Sequence, residues 1–226
     1  MKDVIKRNWL WICISTSVLV FLIVVYQIRQ EQTVKLSAVC GTALLLLTLI
    51  PNNLLLWVPA SYSKLLALLR GLVIKRRDLG ISSGIVFLFH IVFALTVYNS
   101  WNISFFLTKA MIFGSVGMFV VVLLLVTSNN YSIRLLKNNW KIIQSIVWVA
   151  IPFILIHSLL ASISFTDEYS KIGILGFGGL LIFIIVESIL FLINPQKTIP
   201  HKWRHLRFIL LGSILAAALF LLYPNK

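Results

Sequence analysis

The sequence predicts an all-α fold, a polytopic bundle of about seven transmembrane helices, from composition, the length of its apolar runs and the placement of its cations. Of 226 residues, 60% are apolar and 12% charged, whereas soluble domains run at about 45–50% and about 25%. Mean hydropathy is +1.00, so lipid is the expected main solvent. A crossing needs about 20 apolar residues, and at that length the chain is filled by spans and short connections, with no room for a water-soluble catalytic domain. A single transmembrane domain over 1–226 is expected.

Spans are expected at 9–26, 36–52, 79–98, 103–127, 142–163, 171–194 and 206–223. The first follows Lys2, Lys6 and Arg7 as a signal peptide would, but it continues from Trp9 to Tyr26 without a small-residue cleavage site. It reads as an uncleaved span. Between 53 and 75, Trp57, Pro59, Tyr62, Lys64 and Arg70 interrupt the leucines, which suits an interfacial helix or loop better than a crossing. The small pairs Gly80/Gly84, Ala110/Gly114 and Gly212/Ala216 have the four-residue spacing that lets helices approach closely.

The net charge of +14 does not indicate nucleic acid, because the cations form short clusters between apolar runs and no extended basic face. With the N-terminus inside, Lys2, Lys6, Arg7 and the clusters at 64–77, 134–141 and 197–207 share one side, 15 of the 20 Lys and Arg. Arg29, Lys35, Lys109, Lys171 and Lys226 fall on the other. This positive-inside bias predicts a cell-membrane protein with a cytoplasmic N-terminus, and a non-crossing 53–75. Trp9, Trp57, Trp101, Trp140 and Trp203 fall near the expected interfaces, where an indole is well placed. Cys13 and Cys40 lie in apolar segments near opposite faces and read as unpaired small hydrophobes.

Ionisable side chains at membrane depth are costly and mark function. His90 follows Arg76 by 14 residues and His157 follows Lys141 by 16, offsets of about 21 and 24 Å along a helix. Two neutral imidazoles at matched depth can ligate both faces of one haem iron. Alternatively, each hydrogen-bonds a neighbouring helix. Glu187 lies inside a span, where it either exchanges protons near a quinone or is protonated between helices. His201 and His205, within a basic connector, read as solvated or as a further metal or cofactor site. No nucleophile constellation, phosphate-binding glycine loop, cysteine metal cluster or dinucleotide fingerprint is present.

The run Arg76-Arg77-Asp78-Leu79-Gly80 followed by His90 resembles the third-helix signature of the ferric reductase-like transmembrane family, and within it the MsrQ/YedZ-like haem-binding membrane subunits. Thr127-Ser128, Arg134-Leu135, Trp140-Lys141 and His157 resemble a second block of the pattern, with Asn138 or its neighbour at the expected glycine. Leu47-Thr48-Leu49-Ile50-Pro51 is similar to the end of the family's second helix. The resemblance is best over 36–194 and implies a six-helix core, with 206–223 as an extra C-terminal span.

The resemblance implies one haem b with His90 and His157 as axial ligands, and an electron-transfer subunit of an oxidoreductase without its own NAD or FAD domain. Arg76, Arg77, Gln144 and Glu187 would be accessory, and FMN or a quinone would be additional cofactors. Gln144 stands where a second family histidine would fall, which argues for a single haem, since glutamine is a poor iron ligand. Its 13-residue offset from His157 would also turn it about 140° away on an ideal helix, with Pro152 between them as a candidate kink. The implied partners are membrane lipid, a quinone, a cytoplasmic reductase and an acceptor on the outer side. The competing expectation is a haem-free membrane protein, a transporter or assembly factor that keeps the scaffold.

Overall fold

A computed structural model describes residues 2–55, 58–98 and 106–164. Every regular element among them is helical. They are α1 (Lys2–Ile28), α2 (Gln30–Leu54), α3 (Ser63–Ile74), α4 (Arg76–Val97), α5 (Lys109–Thr127), α6 (Asn130–Leu136), α7 (Asn139–Ser145) and α8 (Val147–Ser164). Four stretches are long and apolar enough to cross a membrane: Leu10–Ile28, Gln30–Pro51, Arg76–Val97 and Ala110–Thr127. At 18 to 22 residues each is about 27–33 Å long, a match to a hydrocarbon core of about 30 Å. The chain is therefore an all-α, membrane-embedded protein.

These helices coincide with the first four expected spans, with shifted ends. The second begins at Gln30, six residues before the apolar run, so its first turn carries Gln30, Glu31 and Gln32. The expected fifth span at 142–163 is two helices. The break is at Ile146, whose N–H bonds the Ile143 carbonyl at 3.0 Å, three residues back. Pro152 sits inside α8 and does not end it; it only withholds the helical hydrogen bond to Trp148. The expected spans at 171–194 and 206–223 lie outside the described residues.

The chain divides into two compact units, one of Met1–Trp101 with Val122–Trp140 and one of Asn102–Val121 with Lys141–Lys226. In the first unit, α2 packs chiefly on α4, and α1 packs on both. The Ser83 hydroxyl donates to the Gly41 carbonyl at 2.8 Å. Seven residues later in α4 and seven earlier in α2, His90 meets the Val34 carbonyl. That register makes α2 and α4 antiparallel. On the other flank, Ser82 Oγ reaches the Trp11 carbonyl at 3.3 Å, and further along both helices Tyr26 stacks on Phe93 with ring centroids 5.4 Å apart. So α1 and α4 run in the same direction.

With α2 opposed to both, the segment joining α2 to α4 contributes no crossing. Its helix α3 has 12 residues, about 18 Å, which is too short to span the core. The non-crossing reading of 53–75 agrees with this geometry.

The core of this unit is Leu22, Val34, Val86 and Phe93, with Tyr26, Cys40 and Phe89 packed around it. Close approach of α2 and α4 depends on Gly41, where a Cβ would lie 3.0 Å from the Phe87 ring. Ser37, Ser82 and Ser83 are essentially inaccessible, yet each hydroxyl reaches a backbone carbonyl, which removes the cost of burying it in lipid. At the other face of α4, a Cβ on Gly84 would touch Leu125 at 3.2 Å. Nearby Arg77 donates to Asn130 Oδ1 at 2.8 Å, and Trp140 Nε1 to the Thr127 carbonyl at 2.9 Å. These contacts gather the cation-bearing segments 64–77 and 134–137 at one end of the unit, while Arg29 and Lys35 sit at the other.

In the second unit, α5 and α8 lie antiparallel. Gly114 faces His157, and Gly117, one turn on, faces Ile154. Phe113 and Phe153 pack with centroids 6.0 Å apart. Cys13 and Cys40 are both free thiols.

Candidate functional site

His90 projects from α4 and is half-buried. Its Nδ1 lies 2.9 Å from the Val34 carbonyl and 3.2 Å from Ser37 Oγ. A carbonyl can only accept, so Nδ1 carries the proton. Ser37 Oγ already donates to the same Val34 carbonyl at 2.7 Å, so toward the imidazole it is an acceptor. The three groups thus agree on one tautomer: Nδ1 protonated and, in the neutral ring, the lone pair on Nε2. On the same helix, Phe89 and Phe93 tilt against each other with centroids 6.3 Å apart.

His157 is set up in the same way within the second unit. Its Nδ1 donates to the Ala110 carbonyl of α5 at 2.8 Å, and Gly114, one turn on, leaves the space in which the ring lies. Here too the neutral ring has its lone pair on Nε2. Metal-bound histidines commonly donate their second ring nitrogen to a carbonyl or carboxylate, which fixes the tautomer and raises the basicity of the ligating nitrogen. Each histidine by itself therefore fits an axial iron ligand. Among the described residues, no group of three or more His, Cys, Asp or Glu side chains is gathered for a bare metal ion.

Arg76 is exposed and Arg77 half-buried at the start of α4, with Arg77 held by Asn130. The intervening Asp78 is buried at 7% exposure. Gln144 is half-buried in α7, and the break at Ile146 separates it from the helix of His157. The angular offset of about 140° expected for one ideal helix therefore does not apply. Glu187, His201 and His205 lie outside the described residues.

Sequence reasoning missed the partners of the two imidazoles, Ser37 and the carbonyls of Val34 and Ala110. Ser37 had a usable signal, as the one serine, beside Thr42 and Thr48, in the apolar run 36–52. The carbonyls had none, because every residue has one and only helix register selects which meets a histidine. The Ala110/Gly114 pair was legible as a close-approach motif, but not as the seat of a particular ring.

No family model matches this chain, and neither a curated protein nor a solved structure is detectably similar to it.

Proposed function

We propose that the protein is a b-type haem subunit carrying electrons in the cell membrane, in the manner of MsrQ-like ferric reductase domains. His90 and His157 are its axial ligands. The supporting observation is that both imidazoles give the same nitrogen, Nδ1, to a backbone carbonyl, which puts the lone pair of each neutral ring on Nε2, the tautomer a carbonyl-oriented iron ligand has. A haem held this way supplies reversible one-electron iron chemistry. The chain's own part is to keep two imidazoles neutral, oriented and surrounded by apolar side chains, so that little reorganisation accompanies a change of iron charge.

The proposal includes seven crossings with a cytoplasmic N-terminus, and a core over 36–194 like that of the ferric reductases. Electrons arrive from a quinol, a flavin such as FMN or a separate cytoplasmic reductase, and leave to an acceptor on the outer side. A donor dissolved in the bilayer suits ligands predicted to lie beyond the midplane. Arg76 and Arg77, at the basic end, offer an electropositive surface to an acidic donor or to anionic headgroups. The experiment is optical: the full-length protein, purified in mild detergent, should be red and show a Soret band that shifts on dithionite reduction. His90→Ala and His157→Ala should each lose or displace that band. A colourless wild-type protein, or a band indifferent to both substitutions, overturns the proposal.

A second reading is favoured by Gln144 and by the same two hydrogen bonds. In a haem-free transporter or assembly factor, each histidine would serve only to tie α4 to α2, or α8 to α5. Protein purified from haem-replete cells without pigment, but destabilised by His157→Ala, is what that reading requires.

A further inference from the structure

The geometry points to Gly114 as a positioning residue for His157: its missing Cβ lets the imidazole lie against α5 with Nδ1 on the Ala110 carbonyl. The significance of this for electron transfer rests on the reading of His157 as an iron ligand, whereas the seating of the ring does not.

A Cβ built on Gly114 would stand 2.8 Å from Nδ1, 3.0 Å from Cε1 and 3.1 Å from Cγ of His157. Real Cβ atoms essentially never come within 2.8 Å of another heavy atom, and the other two approaches are tighter than most real contacts. The ring has two side-chain torsions, so turning it away from the methyl also turns Nδ1 away from Ala110. Its alternatives are to give up the 2.8 Å hydrogen bond or to push α5 from α8. Loss of that bond removes the carbonyl acceptor that holds the proton on Nδ1, and a histidine side chain in water prefers the proton on Nε2. Ala110 and Gly114 therefore act together. The first supplies the acceptor and the second the room to reach it, one helical turn apart on the same face.

Gly117 supplies the internal control. It is the next glycine on this face, and a Cβ there would meet Ile154 Cγ1 at 3.1 Å and the Ile154 nitrogen at 3.4 Å. Gly117→Ala therefore crowds the same pair of helices without touching the imidazole. If Gly114 serves helix packing alone, the two alanine variants should behave alike.

The test uses the full chain with ring-15N-labelled histidine in lipid nanodiscs, with the His157 signals assigned by their loss in His157→Gln. Wild type and Gly117→Ala should show a protonated Nδ1 and an unprotonated Nε2 at His157. In Gly114→Ala the balance should move toward the Nε2-protonated form, with His90 unchanged as a reference in the same spectrum. In pigmented preparations, Gly114→Ala should shift the haem midpoint potential or the low-spin EPR signature, and Gly117→Ala should not. An unchanged His157 tautomer in Gly114→Ala, or an equal change in Gly117→Ala, overturns the assignment. A changed tautomer in a protein that never binds haem upholds the seating of the ring and overturns the ligand reading instead.

Discussion

At the residue scale, the chemistry of the two histidines is decided by which backbone carbonyls they meet. Ser37 shows how one hydroxyl adds to this, since it donates to the Val34 carbonyl and stands 3.2 Å from the same ring nitrogen. Ser37→Ala leaves Nδ1 its stronger partner, Val34 at 2.9 Å. The tautomer of His90 should therefore persist, while the unit loses about 1 kcal/mol, the usual net worth of one hydrogen bond. Thermal unfolding in detergent measures the loss. A Ser37→Ala protein in which His90 protonates Nε2 would show that the hydroxyl, and not the carbonyl, sets the ring. The sequence identified both histidines by their polarity within apolar runs, but the atoms that orient them belong to residues without any such mark.

At the scale of elements, glycine positions separate packing from propensity. Gly41 has the Phe87 ring 3.0 Å from where a Cβ would lie, whereas Gly71 in α3 has nothing within 4 Å. Gly41→Leu should therefore cost about 1–3 kcal/mol through forced separation of α2 and α4. Gly71→Ala should be neutral or stabilise by about 0.5–1 kcal/mol, because alanine is the better helix former and meets no neighbour. Unfolding midpoints of the two variants against wild type check both signs. The first four spans were legible because twenty apolar residues in a row have few other uses. The break at Ile146 was not, since 142–163 averages as apolar despite Gln144, Ser145 and His157, and the residue that looked disruptive, Pro152, lies inside α8.

At the scale of the whole molecule, topology follows from direction and charge together. In the first unit, parallel α1 and α4 with antiparallel α2 require that 53–75 return without crossing, and the short α3 is consistent with that. In a protein with Cys13 and Cys40 replaced by alanine, a membrane-impermeant thiol reagent should reach Lys75→Cys and Lys137→Cys from one face of the membrane and Arg29→Cys from the other. Labelling of Lys75→Cys from the face that exposes Arg29→Cys would make 53–75 a crossing and invert every later span. On the orientation proposed from the asymmetry of Lys and Arg the first face is the cytoplasmic one, and vesicles of known orientation test that assignment in the same experiment.

By itself the sequence determined that this chain is helical and lives in lipid, because hydropathy and length are sums over residues and need no knowledge of neighbours. It also singled out the rare polar side chains within those helices, since an imidazole in a run of leucines is conspicuous in any register. Only the tertiary structure decided the proton position on each imidazole, the need for glycine at 114 and the discontinuity ahead of α8. Each of those depends on a contact made across helices or on a local departure from ideal helical hydrogen bonding, and neither is encoded in the average properties of a segment.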